Sequence, residues 1–104
     1  MFIAIVQIPM SKRPRDAAVE AATKSAPTYT ALGAKGLLKK YYLNGEAGGG
    51  GVYLWASEAA ARAWYTPEWE ARMEAAFGAR PIVTYYDNHV VVDNEAGQVR
   101  IDKS

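Results

Sequence analysis

Apolar and polar positions along the chain sort into short extended segments separated by two helical regions. Residues Phe2–Ile8 are a continuous apolar run whose one polar member is Gln7, closed by Pro9, as expected of an inner strand buried on both faces. Pro14 suits the first turn of a helix, and Asp16 and Glu20 lie near its positive end. Ala17, Ala18, Ala21 and Ala22 give that helix a small-residue face able to lie close to a sheet, and Pro27 is expected to end or kink it. Residues 37–44 alternate as a strand, 45–51 read as a turn, and 52–56 form a second apolar strand. Ser57 begins a helix that stops near Tyr65. It restarts with Thr66 as N-cap, Pro67 at the first position and Gly78 as C-cap. Trp69, Met73 and Phe77 recur at helical spacing, which marks a core stripe. Strands are expected at 81–87 and 89–93, then a polar tail over 95–104 with a weak extended stretch at Gln98–Ile101.

The order β-α-β-β-α-β is that of an α+β, ferredoxin-like protomer, in which an antiparallel sheet carries both helices on one face. Its other face should be wet, with polar residues in alternation. Here both parities are apolar: Ile3 and Ile5 against Phe2, Ala4 and Val6, and Tyr53 and Trp55 against Val52 and Leu54. A patch of that kind calls for a cover, and the simplest is a second copy related by a two-fold axis. A homodimer is expected.

The chain's 104 residues make one domain, placed at 1–94 ahead of the tail, and its formal net charge of +1 gives no reason to expect a nucleic-acid or membrane partner. With no cysteine there is neither a disulfide framework nor a thiolate metal site, which suits a reducing cytoplasm. No clustered histidine or dinucleotide fingerprint is present, so no metal and no cofactor is expected. The glycine run at 48–51 precedes a strand rather than a helix and lacks a P-loop ending, so it reads as a flexible hairpin turn. His89, the one histidine, fits a surface or interface position better than a base.

All three tryptophans fall between Gly51 and Trp69, together with Tyr53 and Tyr65. Aromatics so concentrated beside a sheet make either a heavy core or the wall of an apolar pocket. The candidate pocket residues are Gln7, Tyr42, Tyr53, Trp55, Trp64 and Trp69, with the opening placed at the helix break at Thr66-Pro67. Gln7 either orients a ligand oxygen or is satisfied by a helix end or a dimer contact. Lys40 and Tyr42 share one face of their strand and Tyr41 the other. A lysine there either serves an oxyanion or is solvated edge protection. No acid–base pair singles out a catalytic residue.

The blocks MFIAIVQIP, LLKKYYLN, GGVYLWAS, YTPEW and VVVDN, in this order, resemble the YdhR-type monooxygenases of the antibiotic-biosynthesis-monooxygenase superfamily. The resemblance covers residues 1 to about 94. It implies a ferredoxin-like protomer pairing into a dimeric α/β barrel. It also implies oxidation of a small aromatic or quinol-like substrate by O2 without metal or flavin. Haem-degrading members carry Asn near the position of Gln7, and a His some ten residues after a helical Trp. Here that stretch reads Glu74-Ala75-Ala76, so haem ligation is not expected. A non-catalytic binding dimer and a purely structural dimer are the alternatives.

Overall fold

The computed structural model describes residues 1–102. Residues 103 and 104 of the expected tail lie outside that range. Strands β1 (Phe2–Ile8), β2 (Leu37–Gly45), β3 (Gly48–Trp55) and β4 (Ile82–Asp87) form one antiparallel sheet in the order β2-β3-β1-β4. Helix α1 (Arg15–Ala31) and a 3-10 turn (Leu32–Lys35) join β1 to β2, and α2 (Glu58–Trp64) and α3 (Pro67–Phe77) join β3 to β4. Strands β5 (Val90–Asp93) and β6 (Gln98–Ile101) pair as a separate hairpin, so much of the expected polar tail is structured. The protein is thus α+β: three helices, an antiparallel four-stranded sheet and a hairpin.

One parity of β1 makes the core. Phe2, Ala4, Val6 and Ile8 are buried with Tyr53 and Trp55 of β3, Leu32, Leu37, Ala61 of α2 and Trp69 of α3. The other parity of β1 holds Ile3, Ile5 and the exposed Gln7, beside the half-buried Val52 and Leu54 of β3. No helix covers that face, and Tyr41, Ile82 and Tyr86 extend it as exposed aromatic and aliphatic surface.

The helix punctuation of the second half follows its capping chemistry. Ser57 Oγ accepts from Ala60 N at 3.1 Å and Thr66 Oγ1 from Trp69 N at 3.2 Å, while Pro67 opens α3 and Gly78 closes it at φ 72°. Pro27 does not end α1, which continues through it to Ala31. The missing N–H costs one hydrogen bond. The turn beyond it is held by Tyr29, whose ring meets those of Tyr42, Tyr53 and Trp64.

Two departures shape everything that follows. The glycine run is not a turn: the hairpin closes on Glu46 and Ala47, and Gly48–Gly51 are ladder residues of β3, with Gly50 opposite Gln7 and Gly51 opposite Val6. Gly48 and Gly50 sit at φ 124° and 130°, where a Cβ on either would strike a β1 carbonyl, that of Ile8 or Val6. Strand β2 also carries an irregularity between Leu37 and Lys39 that shifts its register by one residue. Leu37 faces the core opposite Trp55. After the shift, Lys40 and Tyr42 take the helix side, opposite Tyr53 and Gly51, while Lys39 and Tyr41 turn away.

Candidate active site

A cavity of about 390 Å³ lies between the sheet and helices α1 and α3. Its origin is a shortage of side chains on two facing surfaces. Ala18, Ala21, Ala22 and Ser25 of α1 look across at Gly49 and Gly50 of β3, so neither wall fills the gap. The small-residue face of α1 therefore leaves space where it was expected to close on the sheet. Val6 and Ile8 of β1 and Trp69, Met73 and Phe77 of α3 complete an apolar lining of ordinary ligand size.

The charged groups are few and of one sign. Lys40 and Arg13 line the cavity, and no acidic side chain does. Arg13 belongs to the segment between β1 and α1. That segment is clamped to β2 by a reciprocal pair of hydrogen bonds: Arg13 N donates to Asn44 Oδ1 at 2.9 Å, and Asn44 Nδ2 donates to Arg13 O at 3.0 Å. The Arg13 guanidinium lies 5.7 Å from the centre of the Phe77 ring.

Lys40 is held by tyrosines. Its Nζ lies 3.3 Å from the ring centre of Tyr29, 3.9 Å from Tyr42 and 4.8 Å from Tyr53. The three rings come from α1, β2 and β3, and Tyr42 is anchored by a 2.7 Å hydrogen bond between its hydroxyl and Ser25 Oγ. Burial lowers the Lys40 ammonium from its usual 10.5 to about 7. The ring faces oppose this, because a cation over a π face is stabilised. Burial also raises Tyr53 and Tyr29, which keeps both phenols protonated around the amine. A second, more open groove of about 370 Å³ shares Tyr29, Lys40 and Tyr42 with the cavity, so the cage stands between the two.

The sequence-predicted pocket residues divide. Tyr42, Tyr53 and Trp69 line the cavity. Trp55 does not: it is fully enclosed in the core, where its Nε1 donates to the Tyr65 hydroxyl at 3.2 Å. Trp64 packs edge-on against the outer side of the cage at Tyr29, outside the cavity lining. Gln7 is exposed on the helix-free face, since it alternates with the core-facing Val6 and Ile8. It therefore cannot meet a ligand in the cavity of its own chain. The break between α2 and α3 is not a cleft either. Tyr65 fills it, with its ring against those of Trp55, Trp69, Tyr53 and Tyr85.

Tyr29 and Arg13 carried no signal in the sequence, and Lys40 had only its place in an alternating strand. The clue available was the pairing of an alanine face with a glycine run, which together predict a gap. His89 is exposed, and among the described residues no group of His, Cys, Asp or Glu is placed to hold a metal ion. No described helix is long and apolar enough to cross a membrane.

These titrations give the protein a characteristic stability profile. Between about pH 7 and 10.5 the unfolded chain holds a proton on Lys40 that the folded chain has partly released, so stability should rise with pH there. Above about pH 10 the unfolded chain loses the Tyr53 and Tyr65 protons that the folded chain keeps, so stability should fall. Urea unfolding across this range should show a maximum around pH 9 to 10. Lys40→Met should abolish the rise and leave the fall; a flat profile in the wild type would contradict the burial of both groups.

No protein-family model matches the chain, and neither does any curated protein.

Proposed function

We propose that this protein is a cofactor-independent monooxygenase that oxidises a small aromatic or quinol-like molecule with O2, on a ferredoxin-like protomer that pairs into a dimeric α/β barrel. The sheet order and the two helical crossovers support the protomer class, and the uncovered apolar face supports the pairing. The observation that carries the chemistry is an apolar, aromatic-lined cavity of about 390 Å³ whose charged groups are both cationic.

Such a site favours a flat apolar body with one acidic hydroxyl. Lys40, drawn toward neutrality by burial, accepts the proton of a quinol hydroxyl, and the resulting ammonium holds the oxyanion beside it. Deprotonation makes the ring electron-rich enough to give an electron to O2. The protein supplies positioning and the exclusion of water. The balance closes without another reductant: quinol and O2 give a hydroxyquinone and water, one oxygen entering the ring and the other leaving as water.

Anaerobic titration with a naphthoquinol should quench tryptophan fluorescence saturably, because Trp69 lines the cavity. Lys40→Met should weaken binding by roughly tenfold or more, the loss of a charge-assisted contact worth about 1.5–3 kcal/mol. On admitting air, one O2 should be consumed per quinol above the rate of autoxidation. Saturable binding with no enhanced O2 uptake would favour a non-catalytic binding dimer. No quenching by any quinol would leave the cavity a packing feature.

A further inference from the structure

We propose that Lys40 is also an imine-forming amine, so that the cavity captures aromatic aldehydes or ketones covalently through Lys40 Nζ. This rests on the same small-molecule cavity as the oxygenase reading but needs neither O2 nor a quinol.

Three observations converge on this group. Lys40 is the one lysine in the cavity lining, and no acidic side chain there can pair with it and hold it as a permanent ammonium. Its Nζ is fixed by Tyr29, Tyr42 and Tyr53 at ring-centre distances of 3.3–4.8 Å, so its entropy is already spent before a ligand arrives. The surrounding lining is apolar. It favours an aromatic carbonyl compound as guest and a dehydrated product over a hydrated one. Desolvation is what makes a lysine nucleophilic near neutral pH, and burial acts on Lys40 in that direction.

The step balances. The neutral amine adds to the carbonyl carbon, and the C–O bond then breaks. The oxygen leaves as water with the two hydrogens of the amine, and a C=N bond remains. No oxidant or reductant takes part. The Tyr42 hydroxyl, on the same strand as Lys40 and tied to Ser25, can deliver a proton to the departing oxygen. The groups facing Lys40 are the phenol rings of Tyr29, Tyr42 and Tyr53, from α1, β2 and β3. Arg13 lies elsewhere on the cavity wall, and Arg72 of α3 acts on Tyr29.

Lys35 provides a control within the same chain. It is exposed, lies in the 3-10 turn after α1, and lines neither the cavity nor the second groove. The intact protein would be incubated at pH 7 with naphthaldehyde, and the imine fixed with cyanoborohydride before peptide mapping by mass. The expected result is one fast adduct, on Lys40, formed at least about tenfold faster than any on Lys35, because burial moves Lys40 toward the neutral amine. Between pH 6 and 8 the Lys40 rate should climb and level off. Lys40→Arg, which retains a cation for the tyrosine cage, should lose the fast adduct and keep slow surface labelling. Equal labelling of Lys35 and Lys40, or fast labelling that survives Lys40→Arg, would overturn the proposal. Naphthoquinol quenching in a protein that forms no Lys40 adduct would sink the imine and spare the oxygenase. A Lys40 adduct without enhanced O2 uptake would do the reverse.

Discussion

Gly50→Ala should lower the melting temperature by roughly 20 °C or more, or prevent folding outright. A Cβ at this position would lie 1.9 Å from the Val6 carbonyl oxygen and 2.8 Å from its carbon, and both atoms belong to backbone that cannot swing aside. The backbone is also at φ 130°, where a side chain is strained whatever the space. Strain of this kind plus a ladder clash in the central pair of the sheet should cost on the order of 4 kcal/mol or more. Gly33→Ala is the control, because a Cβ there meets nothing within 4 Å. It should shift the melting temperature by no more than a few degrees. A Gly50→Ala protein melting close to the wild type would mean that β3 is not seated against β1 as described. It would also undo the account of the cavity, whose floor is this same bare strand.

Loss of the dimer should be the other large effect. At micromolar concentration the wild type should sediment at twice its 11.3 kDa chain mass, with the helix-free sheet faces together. Ile3, Ile5, Val52 and Leu54 lie in adjacent register on that face, and Tyr41 and Tyr86 flank them. A stable pair of this kind typically removes about 1,200–2,000 Å² from water in total. Leu54→Asp puts a carboxylate at the centre of that contact, opposite Ile3, and should shift the species to monomer by at least about a thousandfold in dissociation constant. Lys39 of β2, directly opposite Leu54, offers it an exposed cross-strand partner, too weak a pairing to offset burial of the charge. Glu68→Gln on the exposed start of α3 should leave the dimer intact. A wild type that sediments only at 11.3 kDa would show that the apolar face serves another purpose.

Much of the framework was legible in the sequence because it depends on local chemistry. Ser57, Thr66, Pro67 and Gly78 each act on backbone groups within four residues of themselves, so the start of α2 and both ends of α3 could be read directly. The parity of β1 likewise needs only the period of a strand, and it exposed the doubly apolar sheet before any partner strand was known. Trp69, Met73 and Phe77 declared one face of α3 in the same way. What the sequence could not convey were facts about two segments at once. The glycine run looked like a loop because glycine has no propensity of its own; it became a strand because β1 runs so close that only glycine fits. Lys40 and Tyr42 point into the cavity because a one-residue shift after Leu37 sets which side they take. That shift is decided by how β2 must meet β3. Gln7 was polar in an apolar run, a local fact, but whether it met a ligand or solvent depended on where the helices lay. The cavity itself is the clearest case: small residues on α1 and bare backbone on β3 are unremarkable apart, and leave a ligand-sized space only when the fold sets them face to face.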